Sequence, residues 1–359
     1  MNCPKCGKEN PDDANVCSSC SSEIPKIPDG TEKIIPKTSG LAIAAFVLGI
    51  LSLFTCGLTT VPALVLGIIS FILIEKSGGR LTGRKLAVFG IVLPIVLSFG
   101  IVVPGILKMR KVAFRMFCAK NLSEIGMSML TYTNDYDGKF PRSGGANSHW
   151  AKAIPDWKAQ NRFVAYGLAA DGSGGKGSIT SCFYLLVKYS YPPAPRAFVC
   201  KGDAGVTVFD PADEGMSGQE RIDFWDFGPQ PSKHCSYSYH MPFSQYALTT
   251  ESDPGMAVAA DRNPWITSPS YEGKDISFFN PNGGRVAIGA GNTITHQEDG
   301  QNVLFMDSHV GFEKRPFCGI KDDNIYTFWD GGDIRMGALP QIGSEPQDRL
   351  DSLLVHDGP

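Results

Sequence analysis

The sequence predicts a multi-domain membrane protein: a small four-cysteine module held by zinc, a region of transmembrane α-helices, and a large α+β domain with a long helix packed on an antiparallel sheet. Three observations predict it. Cys3, Cys6, Cys17 and Cys20 form two Cys-x-x-Cys pairs, residues 41–107 are overwhelmingly apolar, and the remainder is polar and rich in Gly, Pro, Asn, Asp and Ser. The expected segments are 1–22, 23–40, 41–107 and 108–359.

The chain of 359 residues is 43% apolar, enough for one domain of ordinary size plus accessory segments. Its formal charge of −3 supplies no basic stripe that would neutralise phosphates, so nucleic acid is not an expected partner. The ten cysteines fall into the N-terminal four, Cys56 within the apolar region, and five beyond it. Such groups are expected to meet different redox compartments. The polar first 40 residues lack the apolar core of a cleavable signal peptide, so export is expected to start from an internal span.

In the N-terminal module, ten residues separate Cys6 from Cys17. That spacing lets four thiolates surround one tetrahedral Zn²⁺, and a closed four-sulfur shell leaves no position for substrate. The expected role of the ion is structural; the alternative for the same cysteines is two disulfides. The pattern resembles the short zinc ribbons that begin many bacterial membrane proteins. Pro25, Pro28 and Pro36, with interspersed charges and no helical period, mark the following segment as a linker.

Residues 41–74 carry no charge and break near Cys56, Gly57 and Pro62, which suggests two short spans at about 41–57 and 59–74. Helices of about 17 residues rise only about 25 Å, against a hydrocarbon core of roughly 30 Å. Residues 86–107 are uncharged and form the expected third span. Lys76, Arg80, Arg84 and Lys85 assign the intervening loop to the cytosol, and the zinc module with it. Lys108, Arg110, Lys111 and Arg115 oppose this sidedness; a re-entrant hairpin over 41–74 is the alternative. Gly78 and Gly83 imitate a phosphate loop, but Arg84-Lys85 stands where Lys followed by Ser or Thr is needed. The runs GLAIAAFVLGILSLFTCGL and SGGRLTGRKLAVFGIVL resemble a bacterial family of small membrane domains of unknown function.

Past the third span, Val112, Met116, Ala119, Leu122, Ile125, Met129 and Tyr132 recur at helical spacing, which predicts a helix with one face on a sheet. Asn134, Asp135, Asp137-Gly138 and Pro141 end it. Bends are expected at Pro94 and at Pro104-Gly105.

The stretch LPIVLSFGIVVPGILKMRKVAFRMFCAKNLSEIGMSMLTYTNDYDGKFP, with its basic run, Cys118, Asn121-Leu122, Ile125-Gly126 and closing Tyr132-to-Pro141 pattern, resembles bacterial pilin-like proteins of the prepilin-type, processing-associated class. FVCKGD ending at Asp203, CSYSY from Cys235, AVAADRNP over 257–264 and Asn324-Ile-Tyr326 extend that resemblance. It implies a pilin-like α+β fold and a pilus or type II secretion-like setting. The family signature is His, nine residues, then Asp-Gly; this chain has His296, ten residues, then Asp307-Ser308. Ser308 in place of Gly implies a costlier hairpin turn, because Gly accepts positive φ freely. No leader ending before a Phe-Thr-Leu-x-Glu helix precedes Leu86.

His296, Asp307 and His309 are candidate metal ligands, since a strand places Asp307 and His309 on one face; the competing role is to fix the turn by hydrogen bonds. Asp135 to Gly138 and Asp330 to Asp333 resemble fragments of calcium loops but read as turns. Cys200 and Cys235 flank a Gly/Pro/Asp-rich insertion and are a candidate disulfide. Trp150, Trp157, Phe183, Tyr184, Trp225 and Trp329 are read as core, or as the lining of a groove. Nucleophile-elbow, zinc-helix and dinucleotide motifs are absent, so no enzyme is expected.

The function these features suggest is a non-enzymatic envelope protein, multi-pass in the bacterial inner membrane, with its zinc ribbon cytoplasmic and its large domain extracytoplasmic. Expected partners are membrane lipid and envelope or secretion-type proteins, or further copies of the chain. The alternatives are a ligand-binding sensor reporting through the ribbon and a metal-dependent hydrolase at His296, Asp307 and His309.

Overall fold

The computed structural model describes residues 1–25, 36–55, 58–97, 99–100, 103–191 and 194–359. Most of the expected linker (26–35), the expected turn at Cys56-Gly57, and positions 98 and 101–102 of the expected third span lie outside the described residues. Two compact units divide the chain, 1–107 and 108–359.

The first unit holds the cysteine module and three mutually packed helices. In chain order these elements are β1 (Lys37–Thr38), α1 (Gly40–Phe54), α2 (Thr60–Lys76), β2 (Leu81–Thr82) and α3 (Arg84–Leu97). β1 and β2 form a short parallel pair that ties the entry to α1 to the loop before α3. The helices meet through small residues: Ala42, Ala45, Gly49 and Ser52 on α1, Ala63, Gly67 and Ser70 on α2, Ala87 and Gly90 on α3. Close approach requires this. A Cβ on Gly90 would lie 2.8 Å from Ala45 Cβ, and one on Gly67 would lie 2.7 Å from Ile91 Cγ1. Large apolar side chains point outward instead, Val47, Leu53, Val65, Ile68, Phe89 and Val96 among them.

The expectation of membrane-crossing helices is overturned: among the described residues no helix is long and apolar enough to cross a membrane. α1, α2 and α3 have 15, 17 and 14 residues, which at 1.5 Å per residue is about 21–26 Å. The expected third span is not described as one helix. α3 contains Pro94 and ends at Leu97, and the next helix, α4 (Val103–Asp135), gathers Lys108, Arg110, Lys111 and Arg115 within its first half.

Within the second unit, α4 buries Cys118, Leu122, Ile125, Met129 and Tyr132. Val112 and Met116, expected on the same face, are exposed. After α4 come β3 (His149–Trp150), α5 (Arg162–Tyr166), β4 (Lys176–Gly177), α6 (Ile179–Lys188), β5 (Tyr237–His240), β6 (Ala257–Asp261), α7 (Arg285–Gly289), β7 (Gln301–Phe305), β8 (Val310–Glu313) and β9 (Leu354–Val355). β3 and β4 form a small parallel pair. The main sheet is antiparallel, in the order β8-β7-β6-β5-β9, with a register shift between Ala257 and Ala259 on β6. At Gly126 the α4 backbone lies on this sheet, because a Cβ there would come within 2.8 Å of Leu304 Cδ1.

α6 is buried along its whole length and starts from a Ser178/Ser181 capping box. Its Phe183 and Tyr184 pack with Phe198, Phe209, Phe224 and Phe227 in tilted and edge-to-face pairs. Trp150, Phe183, Tyr184 and Trp225 are therefore core residues rather than groove lining, while Trp329 is half-buried.

The pilin-like expectation is also overturned, since this unit does not have a pilin fold. Its strands are few and two to five residues long, and the segments between them run in turns and short 3₁₀ helices. The Gly, Pro and Asp content that marked the region as polar terminates strands before they can extend.

Candidate functional site

Two chemically equivalent turns build the cysteine module. Gly7 N–H donates to Cys3 O at 2.9 Å and Ser21 N–H to Cys17 O at 3.0 Å; Cys3 N–H donates to Lys8 O and Cys17 N–H to Ser22 O, each at 2.9 Å. Gly7 and Ser21 occupy matching positions and both have positive φ, 69° and 54°. Each turn presents two sulfurs, and all four lie within 4.8 Å of one another. Cys3–Cys20 and Cys6–Cys17 are each 3.6 Å apart, close to the edge of about 3.8 Å expected for sulfurs 2.3 Å from a tetrahedral zinc.

The electrostatics agree with a dication there. Cys3 falls to about 6, chiefly through the Ser22 hydroxyl and then the backbone N–H groups of Lys5 and Cys6. Backbone N–H groups of Ser19 and Cys20 lower Cys17. Cys6 moves the other way, to about 12: the Lys8 N–H favours its thiolate, but the Cys20 and Cys17 sulfurs outweigh it. A bound cation removes that repulsion and takes all four as thiolates. Cys3, Cys6, Cys17 and Cys20 hold one structural zinc ion.

The remaining candidate residues separate. Asp307, Ser308 and His309 form the β7–β8 turn, where His309 Nδ1 and its backbone N–H both bind Asp307 Oδ1. His309 stacks on Phe305 and lowers the Asp307 carboxyl. Ser308 has φ 72°. His296 instead is buried, with Nε2 3.1 Å from Asp261 Oδ2 and 3.1 Å from Asn302 Nδ2. Among the described residues the clusters with ligand geometry do not join His296 to Asp307 and His309. The alternative three-residue metal site is therefore not assembled, because the first histidine enters the core while the other pair fixes the turn.

The candidate disulfide is likewise corrected. Cys200 bonds Cys118, 82 residues away, whereas Cys235 is a buried free thiol pushed up to about 12 by burial. The position of α4 on the sheet decides this pairing. The bridge borders the Asp261/His296 pair: the two sulfurs, an Asp261 oxygen and a His296 nitrogen lie within 4.8 Å of one another. Asn302 holds Asp261 Oδ2 through its backbone N–H (2.6 Å) and Nδ2 (3.0 Å), while Asp261 Oδ1 is buried without a partner.

Next to Asp261, Arg262 is fully buried and binds Asp203 through Nε at 2.8 Å, and the Ser232 and Cys235 carbonyls through one terminal nitrogen. Burial raises the Asp203 carboxyl, and the Arg262 guanidinium opposes that rise. Asp261, Arg262 and Asn302 were not singled out as site residues from sequence. The available signal was an Asp-Arg pair closing the apolar run AVAADR.

Compared with known families, residues 2–24 match a zinc-ribbon domain and residues 41–104 match a domain of unknown function (DUF4190). No prepilin or pilin-like domain is found. No curated protein and no solved structure matches the chain.

Proposed function

We propose that the chain is a non-enzymatic, membrane-associated protein whose helical unit sets its outward apolar side chains against lipid and whose 108–359 unit serves protein interaction or self-assembly. One observation carries this reading. The three-helix unit turns small residues inward and Val47, Leu53, Val65, Ile68, Phe89 and Val96 outward. In water such a surface is a large liability. In lipid, where apolar side chains gain nothing by facing one another, small residues at helix contacts are the favourable arrangement.

The redox chemistry supports a location at a bacterial cytoplasmic membrane. Four zinc-binding thiolates suit the reducing cytosolic side, and the Cys118–Cys200 bridge suits the oxidising outer side. The non-enzymatic part rests on His309 and Asp307 being engaged in a turn and His296 in the core.

Fractionation of cells expressing the full chain tests it. The protein should sediment with membranes, resist salt and carbonate, and dissolve in detergent; recovery in the soluble fraction without detergent would sink the lipid reading. Impermeant thiol labelling of intact cells, comparing Cys17 with Cys318 after quenching and unfolding, reads the two sides. Equal protection of both would overturn the split placement.

A further inference from the structure

We propose that Cys118, Cys200, Asp261 and His296 form a redox-gated site for a divalent transition metal, closed while the disulfide is intact and able to hold one zinc-class ion when it is reduced. The donor set is complete. All four residues are buried, and one ligand atom from each lies within 4.8 Å of the others. The 3.1 Å between His296 Nε2 and Asp261 Oδ2 is already close to the edge of about 3.3 Å that two ligands at 2.0–2.1 Å subtend at a tetrahedral ion. The cysteine Cα atoms are 5.3 Å apart, so side-chain rotation separates the freed sulfurs toward their edge of about 3.8 Å. Two thiolates and an imidazole select zinc-class ions over calcium or magnesium.

A second observation points to a free ligand atom. Asp261 is fully buried beside a bridge that carries no charge, and its Oδ1 has no hydrogen-bond partner. Buried carboxylate oxygens are rarely left so, and this one keeps a lone pair free for an ion once the bridge opens. Asn302 Nδ2 lies 3.1 Å from His296 Nε2 and 3.0 Å from Asp261 Oδ2, the two atoms a metal would take, so metal binding displaces the Asn302 amide from the imidazole.

The chemistry balances with a dithiol as reductant. Two electrons pass from the dithiol to the Cys118–Cys200 bond, the dithiol leaves as its own disulfide, and its two protons pass to the cysteine sulfurs. The metal then displaces those protons to solvent as it binds the thiolates.

The test uses the full chain in detergent, purified once under air and once with reductant throughout, each then equilibrated with excess Zn²⁺ and desalted. The oxidised protein should retain one zinc per chain, in the ribbon, and the reduced protein two. In the reduced protein zinc should also slow alkylation of Cys118 and Cys200 at least about tenfold, read peptide by peptide and separately from the ribbon cysteines. His296→Ala should return the reduced stoichiometry to one. One zinc in the reduced wild type, or alkylation of Cys118 and Cys200 unchanged by zinc, overturns the proposal whether or not the variant folds.

Discussion

Ser308 holds its backbone at φ 72°, where an L side chain crowds the following carbonyl at a cost of about 1–2 kcal/mol. Ser308→Gly relieves that strain but adds freedom to the unfolded chain. A net gain of about 0.5–1 kcal/mol is expected, measured as a higher urea midpoint at unchanged slope; a lower midpoint would remove the strain argument. That a turn stands here is legible in the sequence, where Asp307-Ser308 separates the runs NVLFM and HVGFE, but the positive φ is decided by the hairpin. Asp323 was not legible. Burial pushes its carboxyl up to about 8 despite the Ser352 N–H that pulls it down. Its folded value exceeds the unfolded one near 3.9, so its stabilising contribution is full below about pH 4 and is lost as pH rises through about 8. Asp323→Asn should therefore gain melting temperature relative to wild type as pH increases from 5 to 8. Parallel curves for the two proteins would refute this. Asp226, raised by burial to about 7, acts in the same sense, while His240, lowered by burial to about 4, loses stability as pH falls from its unfolded value.

At the scale of elements, helix contacts in the first unit are set by residues spaced three and four apart: Ala42, Ala45, Gly49 and Ser52 on α1, Ala63, Gly67 and Ser70 on α2. That stripe stands in the sequence at helical spacing, within a run of high apolar content. A Cβ on Gly90 would also lie 2.9 Å from the Ala45 carbonyl carbon, so a larger residue must push α1 and α3 apart. Overpacking of this kind costs about 1–3 kcal/mol. Gly90→Val should raise amide exchange in residues 40–54 and 84–97 by about ten- to a hundredfold, with the 108–359 unit unaffected. Unchanged exchange in α1 would show that the close approach is dispensable. In α4 the helical period was readable but the extent of its buried face was not. The period continues through Val112 and Met116, yet burial starts at Cys118, because only a sheet beneath the helix makes a periodic face a buried one.

At the scale of the molecule, the ribbon and the 108–359 unit rest on different sources of stability. The ribbon has only a small cluster of Cys3, Cys17 and Ile24 around its metal, so zinc supplies most of its folding free energy, roughly 10–16 kcal/mol by analogy with small zinc domains. The larger unit has an extended aromatic and aliphatic core. A strong chelator should abolish amide protection in residues 1–25 while leaving the near-ultraviolet circular dichroism of the 108–359 unit intact. Loss of both signals together would show that the ribbon supports the larger unit. The sequence by itself determined the ribbon, because two Cys-x-x-Cys turns carry all four ligands locally, and it marked the hairpin turn at Asp307-Ser308 without fixing its backbone. Tertiary structure alone decided that Cys118 rather than Cys235 bonds Cys200, and that His296 leaves Asp307 and His309 to meet Asp261. Each of these depends on which distant segments are brought within a few ångströms, and no local spacing encodes that.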